Sequence, residues 1–84
     1  MTKRDKLIAQ FFRDPPEVSF GDVVRVLELL GYRPTGGGKG SHHVFRNSKG
    51  QMITVPTVHG RKVKRQYVRK IRMLLEEEGY GPEE

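Results

Sequence analysis

HHVFRNSKGQMITVP, His42 to Pro56, decides the fold. HHVFR and QMITVP each read as a strand, the second marked by the β-branched run Ile53, Thr54 and Val55. NSKG between them is a turn in which Gly50 supplies a positive φ. Upstream, YRPT reads as an edge strand, where Pro34 is tolerated because one side of the strand needs no donor. Three short strands with such short connections predict an antiparallel meander. Successive side chains on a strand alternate, so His42 shares a face with Val44 and Arg46, and His43 shares the other with Ser41 and Phe45.

Helices flank this sheet. VSFGDVVRVLELLG predicts a helix over roughly Phe20 to Leu30. Ser19 is the N-cap, Asp22 is placed three residues on as in a capping box, and Val18 and Val23 are spaced as a hydrophobic staple. Phe20, Val23, Val24, Leu27 and Leu30 form its buried stripe, and Gly31 stops it. KVKRQYVRKIRMLLEEEGY predicts a last helix. Val63, Tyr67, Val68, Ile71, Leu74 and Leu75 face inward, with Lys64, Arg65, Arg69, Lys70 and Arg72 around the rest. Gly79 and Tyr80 make its C-terminal stop, Tyr80 folding back on Leu75. Residues 3–13 predict a further short helix with Leu7, Ile8, Phe11 and Phe12 on one stripe, ended by DPPE. The fold class is α+β: a three-stranded antiparallel sheet with helices on one face, plus an extra N-terminal helix.

Length and composition narrow the function classes. Eighty-four residues predict one domain, residues 1–84, with a single modest core. The chain has no cysteine, which excludes a disulfide framework and thiolate chemistry and fits a reducing cytoplasm. No apolar run approaches a membrane span, and the N-terminal stretch lacks a signal-peptide pattern. The expectation is a soluble cytoplasmic protein with no membrane partner. Net charge is +6, and its distribution is uneven. Leu29 to Leu75 contains no acid and eleven of the sixteen lysines and arginines. Such a block is either a solvated basic face or a field that gathers polyanions, of which RNA is the first candidate.

The block includes TGGGKGSHHVF, Thr35 to Phe45. Its glycines let the backbone approach a ligand closely and present amides to an anion, and Lys39 adds charge. Read alone, the stretch is either a hairpin loop before ordinary strand histidines or an anion site next to a proton acceptor. Neutral imidazole is the one side chain here suited to taking a proton near neutrality. Adjacent histidines on opposite faces cannot share a metal, His59 is far along the chain and there is no cysteine, so no metal site and no cofactor are expected.

The glycine loop, then GSHHVF, a turn, MITVPTVHGRKV and a helix with inward Ile71 and Leu74 resemble the HicA toxin family over about residues 19–80. GSH at Gly40–Ser41–His42 is the most specific part, supported by Val55, Pro56, His59 and Gly60. The resemblance implies a double-stranded-RNA-binding-domain-like fold and an mRNA interferase paired with a HicB antitoxin. It also implies that His42 is catalytic and that His43 occupies a variable position. Compact family members begin near the capped helix, which makes residues 1–14 an extension.

Together these readings specify an endoribonuclease that needs no metal, because RNA carries its own nucleophile in the ribose 2′-hydroxyl. His42 is the general base, with Lys39 and His59 as auxiliary groups. Lys39, Arg46, Lys62, Lys64, Arg65, Arg69, Lys70 and Arg72 are the expected RNA-binding residues. The alternatives are an RNA-binding module of the same fold without catalysis, and an interaction protein whose basic face takes an acidic partner.

Overall fold

Thr2 opens the first helix. Its hydroxyl accepts from the Asp5 amide at 3.1 Å, and the Asp5 carboxylate accepts from the Thr2 amide at 3.3 Å, a closed capping box. Helix α1 runs Lys3–Phe11, ending two residues before the predicted limit. Asp14 follows at φ 54°, a left-handed conformation that aspartate tolerates better than most residues, and Pro15 and Pro16 prevent resumption of the helix. The computed structural model describes residues 2–82. Met1 of the extension and Glu83 and Glu84 of the C-terminal acidic group lie outside the described residues.

Strand β1 (Glu17–Ser19) leads directly into α2 (Phe20–Leu29). Ser19 caps α2 as its sequence predicts, its Oγ accepting from the Asp22 amide. The Asp22 carboxylate turns instead to Gln10 of α1 at 2.8 Å and to Arg25 at 3.3 Å, tying α1 to α2. The end of α2 is a Schellman motif: the Tyr32 amide donates to the Leu27 carbonyl and that of Gly31 to Glu28. The last helix closes identically, with Tyr80 donating to Leu75 and Gly79 to Glu76. That fixes Tyr80 over Leu75, where its hydroxyl accepts from Arg4 of α1 at 2.8 Å.

The meander is present as predicted. Strands β2 (Arg33–Pro34), β3 (His42–Arg46) and β4 (Met52–Pro56) form an antiparallel sheet in that order. The register sets Arg33 opposite Arg46, which is opposite Met52, and His42 opposite Pro56. One sheet face, through Phe45 and Val55, joins the core with Val23, Val26, Leu27, Val68, Ile71 and Leu75 of the helices. The other face is open to solvent, with His42, Arg46, Met52 and Thr54 exposed along it. This is the α+β arrangement of double-stranded-RNA-binding domains.

The start of the last helix is corrected. Lys62–Lys64 is a strand, β5, paired antiparallel with β1 so that Val63 meets Val18. Helix α3 then runs Arg65–Glu77. KVK alternates with a period of two, and Val63 is buried as a strand residue rather than as part of a helical stripe. Its pairing partner lies more than forty residues away, which periodicity along α3 could not reveal.

Candidate active site

His42 begins β3 on the open face, and its position is set by backbone contacts from three directions. The His42 amide donates to the Lys39 carbonyl at 3.1 Å, closing a turn through Gly40 and Ser41. Lys39 and His42 are therefore the two ends of one tight turn, both exposed. On the β4 side, the Thr57 amide and hydroxyl both donate to the Ser41 carbonyl, at 2.8 and 3.3 Å. Thr35 anchors the start of the loop: its hydroxyl accepts from the Gly37 amide at 2.9 Å and its amide donates to Val44 at 2.9 Å.

Gly38 supplies the third constraint. It sits at φ 89°, and a Cβ built there would lie 2.4 Å from the His42 carbonyl oxygen. The loop thus folds onto the backbone of the histidine itself, which only glycine permits. Gly36 also has positive φ but opens on empty space. Gly38→Ala is expected to displace His42 and lower any activity that depends on it by about 10²-fold, the cost of a small misplacement of a reacting group. Gly36→Ala is the control, with a smaller effect. Comparing both variants by turnover and by circular dichroism checks this; equal losses would show that the approach of the loop to His42 is not what matters.

His43 lies on the other face, half-buried, with its ring 4.4 Å from that of Phe20. The Arg61 guanidinium covers the same Phe20 ring at 5.2 Å, and the Arg61 carbonyl accepts from the Phe20 amide at 2.9 Å. His43 therefore packs and His42 is presented. Arg61 escaped the sequence reading because its φ of 55° and its contact with Phe20 come from a turn that only the β1–β5 pairing places.

The remaining expected residues are dispersed. His59 is exposed in the hairpin turn closed by Val58 and Lys62, three residues beyond Pro56, the strand neighbour of His42. Lys62 and Lys64 lie on β5. On α3, Lys70 sits 5.4 Å over the Tyr67 ring. Arg69 makes a two-pronged pair with Asp14, both contacts at 2.7 Å. Arg65 approaches the same carboxylate at 3.8 Å and donates to the Pro15 carbonyl at 3.3 Å. So Asp14 of the extension engages two of the arginines expected to face RNA, while Arg46 remains exposed on the sheet.

The Arg69 hydrogen bonds hold the Asp14 carboxyl below its ordinary range against the opposing effect of desolvation, helped by the charges of Arg69, Arg65 and Arg72. A depressed carboxyl stabilises the folded state above its unfolded pKa, and that contribution disappears as pH falls through the lowered value. Wild type and Asp14→Asn should therefore differ in melting temperature at neutral pH and converge in acid. A difference that persists at low pH would mean that Asp14 acts through something other than its charge.

Fold and site together define a small α+β domain of the double-stranded-RNA-binding-domain type, with an exposed histidine held behind a glycine loop. The model of the HicA toxin family of bacterial toxin–antitoxin systems matches residues 20–79, most of the chain, and the protein belongs to that family. No curated protein and no solved structure shows significant similarity to it. Among the described residues no helix is long and apolar enough to cross a membrane.

Proposed function

We propose that the protein is an mRNA interferase that cleaves RNA with His42 as general base. The observation that carries this reading is the exposed imidazole at one end of a turn whose other end is Lys39, on the open face of the sheet. In the step, the His42 imidazole removes the ribose 2′-hydroxyl proton. The 2′-oxygen attacks the adjacent phosphorus, and the bond from phosphorus to the 5′-oxygen breaks. The products are a 2′,3′-cyclic phosphate and a 5′-hydroxyl. In this scheme Lys39 and the loop amides offset charge on the phosphorane oxygens, as preorganised donors do. No step in this scheme calls on a metal. His59, in its exposed hairpin, is the candidate for returning a proton to the leaving oxygen.

A HicB-type antitoxin is the proposed partner. The stretch from Leu29 to Leu75 is wholly basic in its charges, which favours an antitoxin presenting acidic side chains over His42. The test uses wild-type protein and a long RNA with EDTA present. Cleavage to cyclic-phosphate ends is expected, with the activity blocked when a HicB-type antitoxin, sought in the neighbouring reading frame, is co-expressed. Cleavage that requires a divalent ion would reject the metal-free mechanism. RNA binding without cleavage under any condition would leave the non-catalytic binding module.

A further inference from the structure

We propose that Arg33 and Arg46 form a second phosphate subsite, so that a single-stranded RNA lies along β3 with one phosphate at His42 and another on the arginine pair. The proposal rests on the reading of His42 given above and extends it to how the substrate is held.

The register carries the argument. Arg33 of β2 and Arg46 of β3 are directly opposite each other in an antiparallel pair. Both are exposed, and both share the open face with His42, because His42 and Arg46 are four residues apart on one strand. Like charges directly opposite on neighbouring strands destabilise a sheet. The ion pairs among the described residues join Asp22 to Arg25 and Asp14 to Arg65 and Arg69; neither Arg33 nor Arg46 takes part in one. The Arg46 head now lies by Gly50, its Nη2 3.8 Å from where a Cβ there would sit, and a phosphate that draws it toward Arg33 removes the repulsion, the forked donors of both matching such an anion.

The spacing suits an anion that is part of a chain. Four strand residues at ~3.3 Å each separate the two sites by about 13 Å of backbone. A single strand with its bases splayed out can follow the protein strand over that distance. Val44 and Thr54 lie side by side between the sites, and Met52, 61% exposed, flanks Arg46. That floor is low and without charge, so a strand can pass over it. On α3, by contrast, Asp14 already occupies Arg65 and Arg69.

The test measures binding of oligouridylates of two to eight nucleotides by fluorescence anisotropy, in His42→Ala protein so that the probe survives. Affinity should step up once the oligomer spans both sites. Arg33→Ala with Arg46→Ala should abolish that step, about tenfold in affinity. It should also make the salt dependence shallower by ~0.7, the slope due to one phosphate that the protein then leaves with its counterion. The melting temperature of the double variant should not fall, since a repulsive pair has been removed; a fall would overturn the view that the pair is unfavourable without RNA. A length step that survives the double substitution, or one abolished instead by Lys70→Ala, would overturn the subsite. Wild-type cleavage of long RNA that is lost in His42→Ala, without an arginine-dependent step, rejects the subsite and retains His42 as the base. An arginine-dependent step in a wild-type protein that never cleaves supports the subsite and rejects that role for His42.

Discussion

His42→Ala is expected to lower RNA cleavage by ~10²–10⁴-fold, the usual contribution of a positioned general base. The fold should be unaffected, because His42 is exposed and the contacts that hold its position are made by its backbone. RNA affinity should change little. His43→Ala makes the comparison decisive. That ring packs on Phe20 away from the open face, so its removal should cost stability and leave most of the turnover per folded molecule. Assaying both variants on one long RNA, with melting curves alongside, separates the two roles. A drop in cleavage at His43 matching that at His42, with the fold retained, would reject the assignment of the base.

Phe11→Ala is expected to destabilise the protein by about 3–5 kcal/mol, the usual cost of truncating a buried aromatic residue. Phe11 is fully buried and belongs to the same hydrophobic cluster as Val23, Phe45 and Ile71. For a chain of this size each kcal/mol moves the melting temperature by about 4–8 °C, so the shift should be obvious in a thermal melt. Phe12, only partly buried against that cluster, should cost less. The extension is therefore built into the core through Phe11 and Ile8, and into the basic face of α3 through Asp14. A destabilisation below ~1 kcal/mol at Phe11 would mean that α1 only rests on the molecule, since burial of that ring carries far more.

Much of the fold was legible because it depends on local chemistry. Ser19 and Asp22 begin α2, Gly31 and Gly79 sit where their helices end, and alternation in HHVFR and MITVP sends adjacent side chains to opposite faces. Alternation also assigns the two histidines to different faces, as the Phe20–His43 stack bears out. The position of His42 behind a glycine loop was readable too, since TGGGKGS runs directly into it along the chain.

What the sequence by itself determined is the part governed by neighbours along the chain: the caps of α2, the glycine stop of α3, the Asn47–Gly50 turn, and the strand alternation that sends His42 and His43 to opposite faces. Tertiary structure alone decided the pairings that bring distant segments together. KVK became a strand because Val18 was there to receive Val63, and Arg61 reached Phe20 through that same pairing. Asp14 drew Arg65 and Arg69 from the basic surface across more than fifty residues of chain, and Arg33 came opposite Arg46 only through the register of β2 on β3. Periodicity reports which face of its own element a residue occupies. It does not report what stands across from that face, and for a charged side chain the group opposite decides whether it is already neutralised or still open to an anion.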